Sequence, residues 1–322
     1  MSRWQRFLSD QGCAFDDAEL GRARAPAEAK RSGRGACVDL GDYDLLILEG
    51  KDAHAFLQGY LTSDVDTLAS SRAQLGAFCN LQGRVVADVV LAERAGAAWM
   101  SIHRSLVAPL KQSLAKYLQF SRSKFRAPDD GLVTLGLLAA PDEEPLPTNV
   151  LDACPYRGGL AIRVPGEPPR WLAWLPLDAA QSLWRTLAKE GRIADGAAWD
   201  LADVRARWAR VTAATSEQFL PQMLGLTDLG AVSFEKGCYL GQEIVARAQH
   251  LGQVKRRLAP AQWRGARAPS AGESILDARG RAVGTAIVAT PTGGGAGEAL
   301  VVIAARLQAP AATASGITFA FP

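Results

Sequence analysis

The hydrophobic periodicity of this chain changes at Val254, and that change limits the folds open to it. Before that point apolar residues recur at strand spacing and helix spacing in alternation; beyond it only short strands separated by turns can be drawn. The later part holds the turn Asp277-Ala278-Arg279-Gly280, an apolar run over 282–289, a Gly-rich loop over 292–297 and a second run over 299–307, which reads as a small all-β module. The earlier part is mixed. Trp4, Phe7 and Leu8 mark one face of a short helix, followed to about residue 35 by a polar, Arg/Ala-rich connection. A strand is expected over 44–50, then a helix from Lys51 that turns Ala53, Phe56 and Leu57 inward. Residues 77–91 read as a hairpin turning at Asn80-Leu81-Gln82-Gly83, and 106–120 as a helix. After the Pro/Asp-rich stretch 127–131 a strand opens at Leu132. Strand and helix then alternate to about 196 between proline-rich loops (141–147, 165–169). The clearest helix spans 178–190, with Ala179, Leu183, Trp184 and Leu187 in one stripe, and another is expected over 199–208.

A chain of 322 residues can bury two or three cores, and 48% hydrophobic with 21% charged residues is a globular composition. No apolar run reaches the length of a membrane span, and Asp10, Asp16 and Asp17 interrupt the region where a signal peptide needs an apolar stretch, so a cytoplasmic protein is expected. A net charge of +3 is too mild for a dedicated nucleic-acid binder. The five cysteines are odd in number and scattered, without C-x-x-C spacing, and the three histidines form no metal-type pair with them; reduced thiols are expected, and no self-contained metal site.

The stretch Lys236-Gly237-Cys238-Tyr239-Leu240-Gly241-Gln242-Glu243 carries the chemistry. Leu240, Ile244, Val245 and Ala248 follow at helical spacing, with Glu243 and Arg247 one turn apart, so the spacing predicts that Cys238 opens a helix. Unpaired N–H groups, the positive end of the dipole and the Lys236 ammonium would then favour thiolate over thiol. A buried structural cysteine is the competing reading. Other candidates fall away. Ser32-Gly33-Arg34-Gly35 lacks a third glycine and precedes a strand, and 293–297 lacks the Lys-Ser/Thr ending of a phosphate loop. Lys255-Arg256-Arg257 reads as a strand with one solvated face, and Trp171, Trp174 and Trp184 sit in apolar patterns that suit a core.

On the K-G-C-Y-x-G-Q-E octapeptide, its flanks 218–222 and 245–247, and the segment 50–64, the chain resembles the YgfZ-type folate-binding proteins, relatives of the aminomethyltransferase (T-protein) of the glycine cleavage system. The likeness runs from Leu40 onward. It implies an α+β fold: a three-domain T-protein-like cloverleaf, with a discontinuous folate-binding domain (36–127 and 197–252), a ferredoxin-like insertion (128–196) and a C-terminal β-barrel (253–322), after an N-terminal helix and connection (1–35). It implies tetrahydrofolate or a derivative as ligand, contacted by Tyr43 and Trp199. Cys238 and Lys236 would be the working pair, supported by Gly237, Tyr239, Gly241, Gln242 and Glu243, the last through a helix-start hydrogen bond. The implied role is a folate-binding accessory factor for iron–sulfur protein assembly or repair, with clients such as tRNA-methylthiolating radical enzymes. Direct binding of nucleic acid is not expected.

Two stretches depart from the family pattern, and a third differs from true T-proteins. Arg205-Ala206-Arg207 stands where E-A-G is usual, removing a carboxylate suited to the pterin edge. Gln58-Gly59-Tyr60 replaces Q-G-Q, and Ala87-Asp88 replaces the paired aspartates of true T-proteins. The alternative activity is a folate-dependent one-carbon transferase with Asp88 as acid/base.

Overall fold

The computed structural model describes residues 1–15, 21–25, 35–128, 131–140, 144–250, 252, 254–307 and 311–321. Most of the Arg/Ala-rich connection, including Ser32, Gly33 and Arg34, lies outside the described residues, as do 129–130 and 141–143 of the expected loops. The chain forms two compact units: Met1–His54, Thr67–Gln74 and Val90–Trp199 make the first, and Ala55–Asp66, Leu75–Val89 and Asp200–Pro322 the second.

The first unit begins with the helix Arg3–Asp10. Its start is closed by a capping box in which Ser2 Oγ accepts the Gln5 N–H (3.1 Å) and Gln5 Oε1 accepts the Ser2 N–H (2.8 Å). The helix buries Trp4, Phe7 and Leu8, and Trp4 meets the edge of Trp184 at 5.6 Å on the helix Leu177–Lys189. Both helices share a core with the six-stranded sheet ordered Ala153–Tyr156, Gly159–Val164, Arg170–Pro176, Leu132–Leu138, Ala36–Asp39, Ile193–Ala194. All pairings are antiparallel except the last. In Leu132–Leu138, Val133, Leu135 and Leu137 enter that core at every second position. Gly136, out of phase with them, lies against Trp199: a Cβ there would come within 2.5 Å of the indole. Each large apolar side chain sealed in this way contributes about 1.5–3 kcal/mol.

The same unit pairs Ala97–His103 with Tyr43–Gly50, which in turn pairs with Ser123–Arg126, beside the helix Arg104–Leu118. The expected helix near 199 runs Gly196–Arg205, ending earlier than its apolar pattern suggests because Arg207 takes a left-handed φ of 53°.

The second unit contains the expected all-β module, a closed barrel ordered Arg256–Arg264, Ala296–Ala304, Ala282–Gly293, Ser274–Leu276, Ala311–Thr313, Thr318–Ala320. Ala259, Ala261, Trp263, Ile275, Val301, Ile303 and Phe319 fill it. Arg256 and Arg257 are exposed at the start of the first barrel strand. The Gly-rich loop is a hairpin turn in which Gly294 and Gly295 both take positive φ (62° and 68°). The turn expected at Asn80 is also present: Asn80 Oδ1 accepts the N–H groups of Gln82 and Arg84 (both 3.0 Å) between the strands Gln74–Cys79 and Val85–Arg94. The chain passes from the second unit to the first within that return strand.

Among the described residues no helix is long and apolar enough to cross a membrane.

Candidate functional site

The octapeptide folds so that Lys236 and Tyr239 are buried while Gly237 and Cys238 between them are exposed. Lys236 Nζ donates to three backbone carbonyls, those of Gln58 (2.8 Å), Leu61 (2.8 Å) and Ser63 (2.7 Å). It also lies 5.3 Å from the centroid of the Tyr239 ring. Burial pushes this ammonium from the ordinary 10.5 down to about 8, against the upward pull of the Asp64 and Asp66 carboxylates. Carbonyls accepting from the charged form pull upward as well. Further bonds join the same two stretches of chain: Ser233 N–H donates to Thr62 O (2.8 Å), Leu240 N–H to Gly59 O (3.0 Å), and Thr62 Oγ1 to Ala231 O (2.6 Å).

The helix after the motif starts at Gln242 and ends at His250, so Cys238 stands four residues upstream of it in irregular chain. The expectation that the cysteine opens the helix is corrected here: the first turn begins at Gln242, whose N–H donates to Tyr239 O (3.1 Å), and the Val245 N–H donates to Gly241 O (3.3 Å). The cause is Gly241. Its φ of 85° bends the chain into the helix, and a Cβ there would stand 2.4 Å from Asn80 O, so the motif presses its backbone onto the 80–83 turn. Gly237, by contrast, has no atom within 4 Å of its would-be Cβ. The helix-start bond comes from Gln242, whose Oε1 accepts the Tyr239 N–H (3.3 Å). Glu243 instead pairs with Arg247 at the surface (2.8 Å).

Cys238 lines a hollow of about 540 Å³ with Leu81, Leu240, Ile244 and Ala246. Leu81, at the hairpin tip, is 66% exposed. Cys13, Cys37 and Cys79 are buried and Cys154 is half-buried, its thiol donating to Pro145 O (3.8 Å). Burial pushes the Cys13 thiol up to about 11 and that of Cys79 to about 12, and raises Cys154 as well. These three thiols stay protonated at neutral pH.

Tyr43 and Trp199 both belong to the first unit, in different surroundings. Tyr43 meets the edge of His103 (5.5 Å) and lines a cavity of about 340 Å³ together with Asp39, Asp44, Arg104, Lys111 and Thr134. Asp39 is 1% exposed and accepts from Trp4 Nε1 (2.9 Å) and the Ala23 N–H (2.7 Å); burial raises its carboxyl from 3.8 to about 6. Trp199 is 1% exposed, packed on Gly136 with the Arg170 guanidinium 4.6 Å from its ring centroid. The cavity at Tyr43 is lined by this largely buried ring and by polar side chains, whereas the Trp199 ring is enclosed by protein.

Asp88 is buried; one oxygen accepts the Val211 N–H (2.7 Å) and the other forms an ion pair with Arg210 Nε (2.5 Å) without hydrogen-bond alignment. Arg205 forms a two-pronged pair with Glu298 of the barrel (2.7 and 3.3 Å). The residues that sequence reasoning missed are the carbonyl acceptors of Gln58, Leu61 and Ser63, the wall at Leu81 and the carboxylate of Asp39. The turn at Asn80 was visible in the sequence; its contact with Gly241 was not.

These two units, one a sheet-and-helix body and the other ending in a closed barrel, define a protein of the glycine-cleavage aminomethyltransferase fold. The crystal structure of the glycine cleavage system aminomethyltransferase T from Bartonella henselae matches with a TM-score of 0.75 at 16% identity, over 99% of this chain and 95% of that one. No family model matches the chain. It is 34% identical over 251 residues to the tRNA-modifying protein YgfZ of Klebsiella pneumoniae (strain 342), covering 74% of this chain and 75% of the relative. The chain belongs to the YgfZ family.

Proposed function

We propose that this protein is a folate-binding accessory factor for the assembly or repair of iron–sulfur proteins, acting in the cytoplasm in support of tRNA methylthiolation, with Cys238 as its working thiol. The observation that carries the reading is the exposure of this sulfur in a hollow, held there by a motif whose flanks are buried. Thiolates react only where a partner can reach them. The name of the Klebsiella relative supports the link to tRNA modification. Folate enters through Tyr43, whose cavity offers an aromatic face beside polar groups. Bound there, it would supply a one-carbon carrier; Tyr43 would stack on it, and Trp199 would act by packing alone. The clients are proteins that carry clusters, such as tRNA-methylthiolating radical enzymes.

The rival reading, an aminomethyl transferase, needs Asp88 within reach of a reacting nitrogen, and the engagement of both its oxygens supports the accessory role instead. The test is complementation of a strain lacking its own family member, reading tRNA methylthiolation. Wild type is expected to restore it and Cys238→Ala to leave less than about a tenth. Equal rescue by both would remove the thiol from the mechanism, and turnover of tetrahydrofolate with an aminomethyl donor would restore the rival.

A further inference from the structure

We propose that Lys236 serves Cys238 as a positioning residue: its ammonium grips the backbone of 58–63 and, together with Tyr239, pins both flanks of Gly237-Cys238 so that the thiol is held out into the hollow. The inference rests on the reading of Cys238 as the working thiol and replaces the expected role of Lys236 as a charge that acidifies it.

An ammonium has three protons, and all three are taken by the carbonyls of Gln58, Leu61 and Ser63 at 2.7–2.8 Å. Gln58 closes the helix Ala53–Gln58, so its carbonyl has no partner within the helix and a cation there is favoured. The Gln58 side chain continues the grip, with Oε1 accepting the Val65 N–H (2.8 Å) and Nε2 donating to Asp64 (2.8 Å). On the motif side the Lys236 N–H donates to Ser233 Oγ (3.2 Å), and the Tyr239 ring lies beneath the ammonium. Past Tyr239, the Leu240 N–H is tied to Gly59 O (3.0 Å). Both flanks are thus anchored to one short segment, while the two residues between them make an exposed bulge. Gly237 fits this arrangement: with open space around it, the bulge is shaped by its ends.

The test uses the full chain in a Cys154→Ser background, with iodoacetamide as a neutral probe and mass spectrometry to assign alkylation to Cys238. Lys236→Met and Lys236→Gln are compared with the parent. The clasp predicts that the pH midpoint of Cys238 alkylation in Lys236→Met stays within about 0.3 unit of the parent. Amide exchange over 58–63 is expected to speed up by about tenfold or more in the same variant. Lys236→Gln, which keeps N–H donors and loses the charge, recovers a substantial part of that protection. A midpoint that rises by about one unit or more in both variants, with amide exchange unchanged, would overturn the proposal and return Lys236 to an electrostatic role. Should Lys236→Met fail to fold, Lys236→Gln decides alone: a parental midpoint with partial protection supports the clasp, and a raised midpoint with full protection refutes it. These readouts do not depend on the cellular role of the thiol. Equal complementation by Cys238→Ala would sink the functional reading while leaving the clasp standing.

Discussion

Lys236 in one unit of this molecule and Asp39 in the other are buried charges held by different numbers of dipoles. In the second unit Lys236 is surrounded by three carbonyl oxygens; in the first, Asp39 has two N–H groups, from Trp4 and Ala23. Neither has an oppositely charged group as its direct hydrogen-bond partner in these contacts, and burial moves both toward neutrality, Lys236 down to about 8 and Asp39 up to about 6. Each tethers something outside its own strand or turn. Asp39 holds the N-terminal helix through Trp4, and Lys236 holds the cysteine loop. The contrast teaches that a buried charge need not be an ion pair to organise a chain: neutral N–H and C=O dipoles can hold it.

If the number of groups left without a partner sets the cost, Lys236→Met should have the largest effect, lowering the free energy of unfolding in urea by about 3 kcal/mol because three buried carbonyls lose their donor. Asp39→Ala, which strips the acceptor from two donors, should cost about 2 kcal/mol. The reverse order would break the comparison.

The same logic applies to the glycines of the motif. Gly241→Ala, with its left-handed φ and a backbone oxygen in the way, should cost about 2 kcal/mol, against less than about 0.5 kcal/mol for Gly237→Ala. Equal losses would mean that the bulge is as constrained as its ends.

Titration separates the two charges by pH window. Asp39 is raised in the folded state, so the unfolded chain releases its proton first, and stability falls as pH rises from 3.8 to about 6. Lys236 is lowered, so the unfolded chain retains its proton longer, and stability rises as pH climbs from about 8 to 10.5. Each limb should amount to about 3 kcal/mol across its window, at about 1.4 kcal/mol per unit of displacement. Asp39→Ala should flatten the acidic limb alone, and Lys236→Met the basic limb alone.

The smallest effect is expected where charge stays at the surface. Arg205→Ala should change stability by less than about 1 kcal/mol, because the Arg205–Glu298 pair is solvated. A larger loss would show that this pair anchors the barrel as firmly as backbone dipoles anchor Lys236.

Much of the fold was legible because its signals are local. The stripe of Trp4, Phe7 and Leu8, the strand opening at Leu132, the turn at Asn80 and the switch to short strands after Val254 all appear where sequence signals place them. The motif itself was legible as a specific string, and its thiol is exposed, against the reading of a buried structural cysteine. Its local geometry was misjudged at one point. Leu240 continues the helical spacing, but Gly241 takes a conformation open to glycine and moves the helix start to Gln242.

What the sequence determined by itself was the kind of several elements and the octapeptide that holds Cys238, because side-chain spacing and backbone sterics act over a few residues. What only the tertiary structure decided was where the charges went. Lys236 finds its three acceptors 173 to 178 positions away along the chain. Those acceptors are main-chain oxygens, which every residue possesses and no sequence pattern marks.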